Sequence, residues 1–219
     1  MKRSILILSV FIAFFFSAKG QMVITHAPSM TALVNNFILT GVTASNVMYT
    51  GAPSAIGSFT GGNATDLGLN DGIVLTTGSI DSVPHINDTA SKFANTNNGQ
   101  PGDATLNTYC PYPSYDAAVL EFDLVPAGNV LEFQYVFGSE EYPEFVGYSF
   151  NDIFGFFISG INPTGGNYAN ANIALIPGTS LPVCINNVNA GSYSTYFVDN
   201  AAGTTIVFDG FTTVLLAHA

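Results

Sequence analysis

Between Asp116 and Asp152 the chain carries eight carboxylates (Asp116, Glu121, Asp123, Glu132, Glu140, Glu141, Glu144 and Asp152) and no Lys, Arg or His. Carboxylates at this density repel one another unless solvent or a cation neutralises them. The tightest group is Gly138-Ser139-Glu140-Glu141-Tyr142-Pro143-Glu144-Phe145, and Asn151-Asp152 opens the next apolar run. Two segments flanking one loop can bring oxygen ligands together. Hard oxygen donors suit Ca²⁺ and offer nothing soft to zinc. The expected Ca²⁺ ligands are therefore Glu140, Glu141 and Asp152, with Glu144 and Asp116 behind them. No Asp-x-Asp-x-Asp-Gly loop is present, and the competing reading is a solvated acidic rim.

A second chemistry uses Glu121 and Asp123, which alternate onto one face of an extended run. Two such carboxylates could serve a β-sandwich glycosidase as acid and nucleophile. Those enzymes add a third acid two or three residues on, where this chain has Val125 and Pro126, and they line the cleft with Trp, which this chain lacks. Nucleophilic triads fare worse, because His26, His85 and His218 are scattered and no Gly-x-Ser-x-Gly elbow exists for them to serve. The expectation is that the protein is not an enzyme.

The elements that position these residues read mostly as strands. Ser29 is placed to cap a short helix over 30–35. Runs at 37–40, 46–50, 56–59 and 72–77 are β-branched or aromatic and bounded by Gly, Pro, Asn or Asp, the spacing of an all-β sandwich. Residues 79–114 form one long polar loop, of the kind that is usually functional or poorly ordered. Further on, Ala118, Leu120, Phe122 and Leu124 share one face. Leu131, Phe133, Tyr135 and Phe137 do the same after the turn at 126–129, so an antiparallel hairpin is expected. Residues 153–158 are apolar on both faces and predict a central, fully buried strand. Further strands are expected at 172–176, 205–208 and 211–216. The fold class is an all-β, antiparallel, jelly-roll-like sandwich with a short N-terminal helix and one long loop.

Composition narrows the partners. Of 219 residues 47% are hydrophobic and 9% charged. All fifteen acids lie beyond Gly20 with Lys92 as the only basic residue there, a net charge of −14. One lysine cannot displace the counterions of a nucleic acid or hold an anionic membrane surface. The first twenty residues join a basic Met1-Lys2-Arg3 to an apolar run and an Ala18-Lys19-Gly20 cleavage site, a secretory signal peptide. Export makes a Cys110–Cys184 disulfide possible, while two free buried thiols remain the alternative. The sequons at Asn63 and Asn87 are short matches expected by chance. Tyr142, Phe145 and Tyr148, in the acidic loop, form a candidate contact surface.

The blocks Asp71-Gly72-Ile73-Val74-Leu75-Thr76-Thr77-Gly78, Asp116-Ala117-Ala118-Val119-Leu120-Glu121-Phe122-Asp123 and Tyr135-Val136-Phe137-Gly138-Ser139-Glu140-Glu141-Tyr142-Pro143-Glu144-Phe145 occur in order. Asn151-Asp152-Ile153-Phe154-Gly155-Phe156-Phe157-Ile158 and Asp209-Gly210-Phe211-Thr212-Thr213-Val214-Leu215 continue the series. Together they resemble the choice-of-anchor L domain family along nearly all of residues 21–219. The resemblance implies a secreted or cell-surface bacterial module, named for the variety of anchors or sorting signals that follow it. In Bacteroidota-like settings that signal is often one for type IX secretion. It carries over no catalytic residue. Family members look to continue through further strands and an anchor beyond the Asp209 block, so the C-terminal strands and the sorting region are expected to be missing here. The expected function is a non-catalytic binding or adhesion module for an extracellular glycan or protein, without membrane insertion of its own. A carbohydrate-active enzyme and a structural spacer are the alternatives.

Overall fold

The computed structural model describes residues 21–37, 41–87, 96–110 and 112–219. In chain order the elements are β1 (Val23–His26), α1 (Met30–Phe37), β2 (Val42–Thr50), β3 (Ile56–Thr60), β4 (Gly72–Leu75), β5 (Val119–Pro126), β6 (Glu132–Tyr135) and β7 (Gly138–Ser139). They continue with β8 (Ile153–Phe154), β9 (Phe157–Ile161), β10 (Asn167–Asn172), β11 (Val183–Cys184), β12 (Phe197–Asp199), β13 (Gly210–Thr212) and β14 (Leu215–His218). Every pairing among them is antiparallel, in small sheets β1-β3-β4, β2-β5, β6-β14, β7-β13-β12, β8-β11 and β9-β10. The class is therefore all-β and sandwich-like, with one α-helix among the described residues, as the alternating runs imply.

Helix α1 starts where its cap predicts. The Ser29 hydroxyl accepts the Ala32 N–H at 3.0 Å, and Leu33 and Val34 turn inward. The strand expected at 37–40 does not begin at Phe37, which closes the helix; residues 38–40 lie outside the described residues, as do 1–20 and 88–95.

The inward faces are those the alternation assigns. Leu131, Tyr135 and Phe137 are buried, the last two in a cluster with Ile176, Val183, Ile185, Val188 and Leu215. A second cluster joins Met22, Phe59, Val83, Ile206 and Phe211. The partners differ from expectation. Instead of forming a hairpin, β5 pairs with β2 from Val42↔Pro126 to Thr50↔Val119, and β6 pairs with β14. The turn after Pro126 marks where the chain leaves a strand, but neighbours are chosen by which long-range partner completes each buried face. Ala127 N–H bonds back to Gly41 C=O, and Leu131 exchanges both backbone bonds with Ala219.

The run at 153–158 is also corrected. It divides into β8 and β9, and its residues are half-buried. The break is at Gly155, where a Cβ would fall 2.5 Å from the Phe157 ring. The Phe156 N–H turns aside to the Asn172 Oδ1. Residues 205–208 carry buried side chains at Ile206 and Val207 without forming a strand, and the expected 211–216 strand is split into β13 and β14. Among its described residues the long loop holds two single-turn 3₁₀ helices, Ile80–Ser82 and Leu106–Thr108.

Replacing Phe211 with Ala should cost about 3–5 kcal/mol, the range for emptying a buried aromatic site. Val130→Ala, at an exposed position, should stay within ~0.5 kcal/mol. Urea denaturation of the two variants checks the placement of the core.

Candidate functional site

The acidic segment leaves the core at β7, crosses the surface and returns at β8. Tyr142 anchors it. Its ring is 1% exposed, packs on Phe197 at 4.9 Å between centroids, and its hydroxyl donates to the Val188 C=O at 2.6 Å. Sequence reading assigned Tyr142 to a contact surface, and its burial corrects that. Phe145 is half-buried against the same core, while Tyr148 is exposed as expected. Beyond the anchor the chain turns over itself, with Phe145 N–H to Glu141 C=O and Tyr148 N–H to Phe145 C=O. Asn186, next to β11, completes the lock. Its Oδ1 accepts the Gly147 N–H, and its Nδ2 donates to the Tyr148 C=O at 3.0 Å.

Glu141 and Asp152 come together at the base of this loop. The Ser139 hydroxyl donates to Asp152 Oδ2 at 2.7 Å and accepts the Glu141 N–H at 3.0 Å. Burial, reinforced by the Asp152 charge and opposed by a bond from the Asp152 N–H, pushes the Glu141 carboxyl from its ordinary 4.5 up to about 7. Burial likewise raises Asp152, with the Ser139 hydroxyl opposing. Glu141 Oε2 is buried without a hydrogen-bond partner among the described residues. A carboxyl in that setting holds its proton more tightly than an exposed one.

The other expected ligands lie elsewhere or point outward. Glu144 is exposed and Glu140 is half-buried. Asp116, at φ 51°, accepts the Asn98 N–H at 3.2 Å and the Gln100 N–H at 2.6 Å, tying the end of the long loop to the start of β5. Among the described residues no three His, Cys, Asp or Glu side chains converge to hold a metal. Ca²⁺ takes six to eight oxygen ligands, and Glu141 and Asp152 are the two expected ligands that the fold is seen to bring together.

Glu121 and Asp123 are both exposed on the outer face of β5. Asp123 accepts from the Asn46 amide at 2.6 Å. Glu121 borders a hollow of about 170 Å³ that Asp123 does not line.

Sequence reasoning missed several surface rings. Phe150 is 57% exposed beside Tyr148 at 65%, with Phe150 resting edge-on against Phe145 at 5.1 Å. Tyr109, Tyr112 and Tyr115 are also exposed. Asn151 donates to Cys110 Sγ at 3.5 Å, and Tyr109 packs on Phe157 at 5.7 Å, so Tyr109 and Cys110 lie beside the residues that follow the loop tip. No alternation or motif distinguishes an outward aromatic here from an inward one. Asn87, by contrast, is buried, and its amide donates to Asn200 C=O, Phe208 C=O and Asp209 Oδ1, so it is committed to the core.

Residues 23–219 match the family model described as the Choice-of-anchor L domain. No curated protein and no solved structure matches the chain.

The raised Glu141 and Asp152 carboxyls fix a pH dependence. Below the ordinary carboxylate range both folded and unfolded chains hold these protons, and there is no penalty. As pH rises from about 4.5 toward 7 the unfolded chain ionises first, so the folded state loses stability across that window. Glu141→Gln removes one of the two titrations. The Tm of this variant, measured against wild type, should shift in the variant's favour between pH 5 and pH 8. A difference that is flat across that range would contradict the buried acid pair.

Proposed function

From the premise that the chain belongs to the choice-of-anchor L domain family, a type of surface-associated and non-enzymatic module, we propose that it is an extracellular binding module for a neutral glycan. The contact surface is the Tyr148–Phe150 tip with Tyr109 near it. Among the described residues no helix is long and apolar enough to cross a membrane.

The observation that carries this reading is the way one loop treats its aromatic residues. Tyr142 is driven into the core, and Asn186 clamps the backbone at Gly147 and Tyr148, while the Tyr148 and Phe150 rings are held out in solvent. Exposing two large rings on a clamped loop costs solvation free energy that a binding surface recovers when a ligand covers them. Clamping lowers the ordering cost of binding. Flat rings beside amide side chains suit a sugar, whose C–H face stacks on an aromatic ring while its hydroxyls take hydrogen bonds. A net charge of −14 beyond Gly20 disfavours acidic ligands. Adhesion follows from such binding once the module is displayed on a cell.

The test is binding of the purified chain to a panel of immobilised neutral polysaccharides. The double variant Tyr148→Ala/Phe150→Ala should weaken binding roughly 5- to 150-fold, since each ring contact is worth about 0.5–1.5 kcal/mol, with an unchanged melt. Glu121→Ala/Asp123→Ala should bind as wild type does. Binding to none of the panel favours a structural spacer, and turnover lost with Glu121 and Asp123 favours the glycosidase.

A further inference from the structure

Two buried sulfurs share one side-chain amide. Cys110, after the 3₁₀ turn Leu106–Thr108 of the long loop, is 8% exposed, and Cys184, the last residue of β11, is 3% exposed. Both are thiols in the structure. The Asn151 amide reaches each: it lies 3.5 Å from Cys110 Sγ and also hydrogen-bonds the Cys184 sulfur. Two cysteines 74 positions apart in sequence are thus brought to either side of one small group, in a chain whose opening segment predicts export.

We propose that Cys110 and Cys184 are a disulfide site, closed after export, that staples the aromatic-bearing loop 106–115 to the β8–β11 pair at the base of the Tyr148–Phe150 tip. The two cysteines are the only ones in the chain, so an intrachain bridge has a single pairing. A thiol is a weak hydrogen-bond partner, and the amide gives up little when the sulfurs close to about 2 Å. Asn151 remains held, because its Oδ1 accepts the Asn186 N–H at 3.0 Å.

Closure is thiol–disulfide exchange with a disulfide-bearing oxidant of the extracytoplasmic compartment. The less buried Cys110 reacts first. Its thiolate attacks one sulfur of the oxidant, and the other oxidant sulfur leaves as a thiolate and takes up a proton. Burial pushes the Cys184 thiol up and makes it the slower partner. Deprotonated in turn, Cys184 attacks the Cys110 sulfur of the mixed disulfide and expels the second oxidant thiolate. The two thiols lose two electrons and two protons, and the oxidant disulfide is reduced to two thiols.

The bridge does not depend on the glycan reading and is tested without a ligand. The full chain is exported to an oxidising compartment, purified without reductant, denatured, alkylated and weighed. The expected result is no alkylated cysteine before reduction, two after it, and a proteolytic fragment joining the Cys110 and Cys184 peptides. Reduction should lower the Tm by roughly 5–15 °C, the range for a bridge closing a long loop in a domain of this size. Cys110→Ser/Cys184→Ser should melt identically with and without reductant. Two alkylated cysteines in never-reduced exported protein, or either cysteine linked to a second chain, would overturn the proposal.

Discussion

A chain with one lysine beyond its twentieth residue has to fold an acidic loop against its own core without a cationic partner. The solution at Asp152 and Glu141 uses neutral donors. The Ser139 hydroxyl faces Asp152, the Asp152 N–H faces Glu141, and a proton retained toward neutral pH replaces the missing cation. Breaking such an arrangement strands a buried charge, which costs more than the hydrogen bond itself is worth. The rest of the region depends on it. Ser139 sits in β7, whose partner β13 carries Phe211 into the second core cluster, and Asp152 sits immediately before β8. The acid pair thus joins both ends of the loop to the strands that bury the apolar side chains.

The loop between those ends is built to point. Tyr142 anchors it, Asn186 clamps its far side, and the rings at its tip stay in solvent. A loop held at three places loses little entropy when a partner covers it, and this separates a preformed contact surface from a merely greasy one. The Cys110–Cys184 site lies where the tyrosine-bearing segment meets this base, so a single covalent bond would fix both aromatic segments relative to one another.

Much of the fold was legible in sequence. Period-two alternation correctly assigned the inward faces of β5 and β6, and the Ser29 cap located α1. Periodicity says which face is buried but not which strand lies alongside, so the expected β5–β6 hairpin gave way to β2 and β14. Residues 153–158 read as one strand because hydrophobicity alone cannot register Gly155, where the Phe157 ring occupies the space of a side chain. At the candidate site, the sequence showed that acids crowd together but not which ones are buried. Glu141 and Asp152 meet, Glu144 points to solvent, and Asp116 is engaged elsewhere by backbone N–H groups. The roles of Ser139 and Asn186 carried no sequence signal, since their work is to satisfy partners distant along the chain.

Amide hydrogen exchange of the Glu141 and Gly147 N–H groups reads the locked loop most directly, because one donates to Ser139 and the other to Asn186. Both should exchange only with global unfolding, far more slowly than the exposed amides of Ser149 and Phe150 between them and β8. Exchange of Glu141 and Gly147 at the rates of an unstructured peptide would contradict a preformed tip held by a buried acid pair.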